Sequence, residues 1–302
     1  KRALCAYSEA GLEVNHKKEF KAELCSRFWG VELDGNAGLL RPSSLRLWPV
    51  VLITLRVASL GLCSVSLLEA LAGSWISMFS LRRRLMCTME LVFEALAISD
   101  QKAVIRLSPA MIDELWTMAL LGPLACINLR AQPTDFLVAT DSSLSWTAGV
   151  SARLPKTICA EVMRRSLKRG VWSKLLPPHK AWLREHALLS EGEEMPGEGY
   201  SSHPLWNLLA SCLQYEFNWR RPILQRRHIN VTELDANLNA EKRSAANLKH
   251  KRILFALDSQ VALGALVKGR ASSSALNDQL RRSLAHMLGA DLYGYYIYFP
   301  SP

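Results

Sequence analysis

The sequence predicts an α/β fold in the second half of the chain, preceded by a mostly helical region. Two short apolar runs end alike: residues 136–140 are followed by Asp141-Ser142, and residues 253–257 by Asp258-Ser259. A run of about five aliphatic, aromatic or β-branched residues between polar segments is typical of a buried strand. Because hydrophobic residues make up 49% of the 302 residues, the chain can bury a sizeable core.

The first part of the chain is predicted to combine one hairpin with several helices. Residues 27–33 and 38–40 are typical of strands, and the Asp34-Gly35-Asn36 segment between them favours a tight turn. Apolar residues at helical spacing from 43 to 97 predict two packed helices joined near Phe79. A further helix begins at Pro109 and ends at Gly122-Pro123. We expect three domains, at 1–42, 43–133 and 134–302.

The most apolar stretch, residues 47–81, contains Arg56 and Glu69. These charges divide it into pieces of about a dozen residues, whereas a membrane-spanning helix needs roughly 20. We therefore expect core helices and no membrane contact. The seven cysteines are scattered, without a Cys-x-x-Cys pair, which indicates reduced thiols of an intracellular protein, nuclear or cytoplasmic. The first residues lack a Met and a secretory pattern, so the chain is expected to be a piece of a longer protein.

Beyond residue 133 the expected order is strand, strand, insertion, helix, strand, helix, strand. Residues 145–152 are predicted to pair with the first Asp-terminated strand in a hairpin, and residues 231–248 carry apolar residues on one helical face. Helical sequence from 260 to 288 is bent near Gly269, and the last strand is expected at 292–299. Residues 154–227 are the least regular and are predicted to be an insertion.

The charge balance favours an anionic partner. The chain has 37 Lys and Arg against 27 acidic residues, a formal net charge of +10, which is typical of nucleic-acid binding. A basic protein without a polyanionic partner is the alternative. Basic residues of the insertion can contact phosphates, and the ring of Trp172, which lies among them in the sequence, can stack on a base. These basic residues are Arg164, Arg165, Lys168, Arg169 and Lys174. The tryptophans of this segment are equally consistent with core or docking positions.

Three acidic side chains are expected to meet at one edge of the sheet. Asp141 and Asp258 end the two strands, and Glu233 lies in the first turn of the helix between them. Oxygen ligands alone favour Mg²⁺ or Mn²⁺ over zinc. Each residue also has a purely structural interpretation: Asp141 as a turn residue, Glu233 as the partner of Asn230 in a capping box, and Asp258 as a helix N-cap.

The segments around these acids, Thr140-Asp141-Ser142-Ser143-Leu144-Ser145, residues 228–234 and residues 257–262, resemble the ribonuclease H domain of retroelement polyproteins, most closely that of DIRS-like reverse transcriptases. The resemblance implies a ribonuclease H-like mixed sheet with flanking helices. It implies that Asp141, Glu233 and Asp258 hold Mg²⁺ or Mn²⁺ for hydrolysis of the RNA strand in RNA:DNA hybrids. The hairpin from Phe28 and the helices after it resemble the end of a reverse-transcriptase palm followed by thumb and connection, so association with the rest of a reverse transcriptase is expected.

Two departures from that family lead to two hypotheses. The paired Asp of the polymerase motif is absent from the sequence, so no polymerase activity is expected from this chain. The family also has a fourth Asp just after the last strand, where this sequence has Phe299-Pro300-Ser301-Pro302. The first hypothesis is a ribonuclease H-type endonuclease. The second is a degenerate, non-catalytic remnant that keeps the fold and binds nucleic acid.

Overall fold

A computed structural model describes residues 2–11, 22–98, 100, 102–168, 204–225 and 227–299. Its helices are α1 (Arg2–Glu9), α2 (Ser44–Leu60), α3 (Val65–Phe79), α4 (Glu90–Ile98), α5 (Pro109–Leu121), α6 (Lys156–Arg165), α7 (Pro204–Cys212), α8 (Ile229–Asn247), α9 (Gln260–Lys268) and α10 (Ser274–Gly289). Its strands are β1 (Cys25–Phe28), β2 (Val31–Asp34), β3 (Leu39–Pro42), β4 (Leu62–Ser64), β5 (Val104–Arg106), β6 (Ile127–Asn128), β7 (Gln132–Ser142), β8 (Trp146–Arg153), β9 (Tyr215–Pro222), β10 (Lys251–Leu257) and β11 (Leu292–Tyr298).

The N-terminal hairpin differs from the prediction in one turn. The expected strand over residues 27–33 is two strands, β1 and β2, which pair antiparallel. Trp29 and Gly30 both have positive φ angles, 48° and 75°, and reverse the chain between them. A glycine at the second position relieves the strain of this turn, which matches the twist of paired strands. The predicted turn at Asp34 to Asn36 follows β2, and the small sheet has the order β1-β2-β3-β6.

The helical region also contains more breaks than expected. Gly61, with a φ of 65°, ends α2, and the short strand β4 separates it from α3. The predicted second helix is instead a 3-10 segment, Ser80–Thr88, followed by α4. Arg82 has non-helical angles within that segment, and its guanidinium donates to the carbonyl oxygens of Met287 and Leu292. These contacts with the C-terminal part override the helical spacing of the apolar residues.

The C-terminal sheet is mixed and has the order β11-β10-β7-β8-β9. The strands β7, β10 and β11 run parallel to one another. The strand β8 pairs antiparallel with β7, and β9 pairs antiparallel with β8. Helices α8, α9 and α10 cover one face and α6 and α7 the other, with separate apolar clusters beneath them. All five residues from Ile253 to Leu257 are buried, as expected of a central strand with both faces covered.

The predicted insertion supplies part of this sheet. Its first residues form α6, and its last form the edge strand β9, which the sequence analysis did not predict. Trp219 is the buried residue of β9, and its indole lies against Gly149 of β8, where a Cβ atom would come within 2.4 Å of the ring nitrogen. Gly149 is therefore required for this close approach. The described part of the chain contains no helix that is both long and apolar enough to cross a membrane.

The core is continuous between the helical region and the C-terminal sheet. One apolar cluster includes Trp75 and Phe79 of α3 together with Leu234 of α8 and Phe255 of β10. A buried ion pair crosses the same boundary, because Arg84 in the 3-10 segment binds Glu241 of α8 at 2.9 Å. The boundary expected at 133/134 remains a prediction, and these contacts tie its two sides together.

Candidate metal centre

Two parallel strands place Asp141 and Asp258 side by side. In the register between β7 and β10, Leu254 lies opposite Leu137 and Ala256 opposite Ala139. Asp258 directly follows the last residue of β10, and Asp141 is the next-to-last residue of β7. Both strands end here, so the two carboxylates lie at the same edge of the sheet, where α8 passes over β7.

The turn interpretation of Asp141 does not describe its position. Asp141 lies within β7, opposite Ala148 of β8. Its Oδ1 accepts a hydrogen bond from the backbone N–H of Ser142 at 2.8 Å. The capping role in the hairpin turn belongs to Ser143, whose Oγ accepts from the backbone N–H groups of Ser145 and Trp146. Asp141 is exposed, so its second oxygen is free to meet a ligand from solvent.

The capping-box interpretation of Glu233 fails because α8 begins before Asn230. His228 is the N-cap, and its Nδ1 accepts from the backbone N–H of Asn230 at 3.3 Å. Glu233 therefore lies beyond the first turn, where backbone N–H groups already have helical partners. Its side chain is turned inward and is only 7% exposed.

Asp258 is likewise not the cap of the helix that follows it. Ser259 is the N-cap of α9, and its Oγ accepts from the backbone N–H of Ala262 at 3.3 Å. Asp258 thus precedes the cap and follows the last residue of β10. The turn and helix caps in these three segments are thus formed by Ser143, His228 and Ser259 and not by the acidic residues.

The structure brings the three carboxylates together. One oxygen from each of Asp141, Glu233 and Asp258 lies within 4.8 Å of the other two. No further His, Cys, Asp or Glu among the described residues joins this cluster. Burial, together with the charges of Asp258 and Asp141, raises the pKa of Glu233 to about 8, against the opposing effect of the Ser142 backbone N–H. Three carboxylates without a neutralising cation are unfavourable, and a bound divalent cation would relieve this repulsion.

The predicted basic arm is described only in part. Arg164 and Arg165 are exposed at the end of α6 and both form ion pairs with Glu161, at 2.9 and 3.4 Å. The Nζ of Lys168 donates to the carbonyl oxygen of Met163 and lies 5.5 Å from the centre of the Tyr295 ring. Arg169, Trp172 and Lys174 lie outside the described residues. The nucleic-acid contact assigned to this arm remains a prediction.

A cleft that no sequence motif indicates lies beside the acidic cluster. It has a volume of about 500 Å³ and lies between the end of β9, α8 and α10. Thr232, which precedes Glu233, forms part of its wall. Lys242 and Arg282 line it from two helices. Their spacing in the sequence gives no sign that they meet, because the contact depends on how α8 packs against α10.

Comparisons with known proteins identify no family. No protein-family model matches the chain, and no curated protein is similar to it. Among solved structures, the chain is similar to the foamy viral protease-reverse transcriptase in complex with an RNA/DNA hybrid, with a TM-score of 0.31 and 11% sequence identity. The alignment covers 100% of this chain and 53% of that one, so the chain spans about half the length of the viral protein. A TM-score this low supports no inference about fold or function.

Proposed function

We propose that the chain is a ribonuclease H-type endonuclease that hydrolyses the RNA strand of RNA:DNA hybrids with a divalent metal ion. The observation that carries the proposal is the meeting of three carboxylates from β7, α8 and the end of β10 within 4.8 Å. The mixed sheet with helices on both faces, and the resemblance of the three segments that contain these acids, also support it.

The three residues differ in what they offer a cation. Asp141 is exposed and can exchange its contact with solvent for a contact with a metal ion. Glu233 is buried and held by α8, which fixes the position of its oxygens. Asp258 lies between them in exposure. The set contains only hard oxygen donors, which suits Mg²⁺ or Mn²⁺.

A bound divalent ion would supply the chemistry of phosphodiester hydrolysis, by activating a water and stabilising the leaving oxygen. The side chains themselves orient and neutralise that ion. Glu233 must lose its proton to bind it, because only the ionised carboxylate is a good ligand. We expect the association with metal to be weaker below the pKa of Glu233, which is about 8 without a cation.

A specific observation favours a second candidate. The cluster contains three carboxylates among the described residues, whereas the family that it resembles has four. A site of reduced charge would hold metal less tightly, and the chain would then be a non-catalytic remnant that binds nucleic acid through its net charge of +10. Hydrolysis distinguishes the two candidates directly.

The test measures cleavage of an RNA:DNA hybrid with labelled RNA in Mg²⁺, in Mn²⁺ and in EDTA. Asp141→Asn, Glu233→Gln and Asp258→Asn are each expected to lower the rate by more than about 100-fold, since even the partners of metal ligands contribute about 10 to 100-fold. Glu161→Gln is the matched control, because it neutralises an exposed carboxylate whose ion pairs among the described residues are those with Arg164 and Arg165.

Three outcomes would contradict the proposal in different ways. Equal cleavage by the parent chain and by all three variants would show that the activity belongs to another protein in the preparation. Binding of the hybrid without cleavage in either metal would favour the remnant. Cleavage of single-stranded RNA or duplex DNA at the same rate as the hybrid would overturn the substrate assignment.

A further inference from the structure

We propose that the cleft between β9, α8 and α10 binds phosphate groups of the nucleic-acid strand that reaches the acidic cluster. This inference rests on the proposed function and extends it to a second contact. We call the feature the basic cleft. Its charged and polar lining residues are Thr147, Arg221, Gln225, Arg227, Thr232, Asp235, Asn239, Lys242, Gln279, Arg282, Ser283 and His286.

The lining is cationic and its charges are little used within the fold. Four of these side chains are Arg or Lys, and Asp235 is the one carboxylate that lines the cleft. Asp235 lies 4.0 Å from Arg221, at the limit of an ion pair. Arg227, Lys242 and Arg282 are exposed and form no ion pair with another described residue. Unpaired cations that converge on one cleft favour an anionic ligand.

Neutral donors add to these charges. The Nδ2 of Asn239 is buried and has no hydrogen-bond partner among the described residues. A buried donor without a partner is unfavourable, and an acceptor oxygen of a ligand in the cleft would satisfy it. Gln279 lines the cleft from α10 and is only 8% exposed. The cleft thus combines charge with amide groups, the pattern that phosphate contacts use.

The cleft adjoins the acidic cluster through the backbone. Thr232 lines the cleft and is followed in sequence by Glu233, so their Cα atoms are about 3.8 Å apart. Thr147 lines the cleft and pairs in the sheet with Ser142, the neighbour of Asp141. Glu233 is therefore one residue from the cleft wall, and Asp141 is next to a residue that pairs with the wall. A nucleic-acid strand that presents one phosphodiester to the carboxylates would continue into the basic cleft, whose positive charge is opposite to that of its phosphates.

The opposite charges of the acidic cluster and the basic cleft predict how each region affects binding of nucleic acid without metal. The carboxylates repel phosphate until a cation neutralises them, whereas the basic cleft attracts it at all times. Binding of a hybrid in EDTA should then depend on the cleft and not on the acidic residues. Measurement in EDTA also separates this inference from the nuclease proposal, because no hydrolysis can occur there.

The test compares two double variants that remove the same charge. Lys242→Gln with Arg282→Gln removes two of the four positive charges of the cleft, and Arg56→Gln with Lys249→Gln removes those of two exposed residues outside it, which have no ion pair with another described residue. Affinity for an RNA:DNA hybrid is measured in EDTA at several salt concentrations. We expect the slope of log affinity against log salt to fall by about 2 for the cleft variant, since each phosphate contact contributes about 1, and much less for the control.

A charge-gain variant tests the same inference in the opposite direction. Asp235→Asn removes the carboxylate of the cleft and is expected to tighten binding of the hybrid in EDTA by several-fold. Equal slopes for both double variants, or no tightening by Asp235→Asn, would overturn the inference and leave the nuclease proposal standing. Conversely, if the chain cleaves in neither metal but shows the predicted slopes, the phosphate-binding cleft is supported and the nuclease proposal is contradicted.

Inorganic phosphate distinguishes a strand from a free anion. The thermal midpoint is measured with and without phosphate, with equal ionic strength maintained by chloride. A phosphate-dependent shift that disappears in the cleft variant, together with the reduced salt slope, supports a phosphate subsite for a strand. A shift that disappears while hybrid binding is unchanged would overturn the assignment to nucleic acid, because a free anion would then be the ligand.

Discussion

Glu233 combines a buried position with two neighbouring carboxylates, and both features keep its proton in place. Its side chain is 7% exposed and its pKa rises to about 8. Protonation of Glu233 removes one of the three negative charges, which relieves the repulsion within the cluster when no metal is bound. The same proton must leave when a divalent ion binds, which links metal affinity to pH.

We predict that the metal-free protein loses stability as pH rises from about 5 to 8. An unfolded Glu ionises near 4.5, whereas Glu233 in the fold ionises near 8. Between these values the folded state holds the extra proton, so the free energy of unfolding falls with pH, by up to about 1.4 kcal/mol per unit. Urea unfolding in EDTA at several pH values measures this.

Glu233→Gln supplies the reference for that measurement, because its side chain has no proton to lose. The unfolding free energy of the parent chain minus that of this variant should become smaller, or change sign, as pH rises. Parallel stability curves would show that Glu233 is ionised throughout the range. Saturating Mg²⁺ should flatten the curve of the parent chain if the ion replaces the proton.

At the scale of single residues, the sequence predicts the three acidic residues of the cluster but not the residues that cap the neighbouring helices. Asp141 and Asp258 could be found because each follows an apolar run, and Glu233 because of the resemblance of its segment. His228 could not be identified as the N-cap of α8, since Asn230 has the better capping chemistry and the right spacing to Glu233.

Among the helices, α4 has an N-terminus that is satisfied by a side chain from another element. Glu114 of α5 accepts hydrogen bonds from the backbone N–H groups of Glu90, Leu91 and Val92, at 3.1, 2.8 and 3.3 Å. Arg281 of α10 binds the same carboxylate. One acidic group thus caps a helix and fastens it to the C-terminal part of the chain.

We predict that Glu114→Gln destabilises the protein by about 2 kcal/mol. The amide keeps one acceptor oxygen but directs a donor at backbone N–H groups, and it leaves Arg281 without its closest partner. Urea unfolding gives the change in free energy. Glu161→Gln, in an exposed pair with two arginines, should cost less than about 0.5 kcal/mol, and equal costs for the two variants would contradict the capping role.

The strand β9 is predictable from its sequence. Aromatic and polar residues alternate from Tyr215 to Arg220, which is the period of a strand. Phe217 is nevertheless 68% exposed, and the pairing with β8 shifts register between Phe217 and Trp219. The turn at Trp29 and Gly30 was harder to predict, because Trp rarely adopts a positive φ.

At the scale of the whole molecule, one buried network joins the helical region to the sheet. Arg84 donates to both oxygens of Glu241, at 3.1 and 2.9 Å, and to the hydroxyl groups of Ser283 and Tyr296. Tyr296 in turn donates to Glu241 at 2.7 Å. Burial, with the charge of Glu241, raises the pKa of Tyr296 well above its usual value, so the phenol remains a donor.

We predict that Arg84→Met destabilises the protein by about 4 kcal/mol, because Glu241 is fully buried and would lose its counter-ion. Adding Glu241→Gln should recover part of that cost, since the amide accepts from Tyr296 without carrying a charge. Urea unfolding of the two variants measures the difference. If the double variant is no more stable than Arg84→Met, the uncompensated charge is not the cause.

The continuous core makes a prediction about fragments. Residues 134–302 expressed alone would lack the apolar partners Trp75 and Phe79 and the guanidinium of Arg84. We expect this fragment to bind a hydrophobic dye and to unfold without a sharp transition, unlike the full chain. A fragment with the thermal midpoint of the full chain would show that the C-terminal sheet is independent of the helices.

The parallel pairing of β7 with β10 has a consequence for how the protein is made. Asp141 and Asp258 are more than a hundred residues apart in the sequence, yet they become neighbours only when these two strands join. Contacts of such long sequence separation form late and slowly, after the chain between them has been ordered. On the ribosome, the acidic cluster therefore cannot form until β10 has emerged, so any metal ion that binds there does so only after most of the chain has been made.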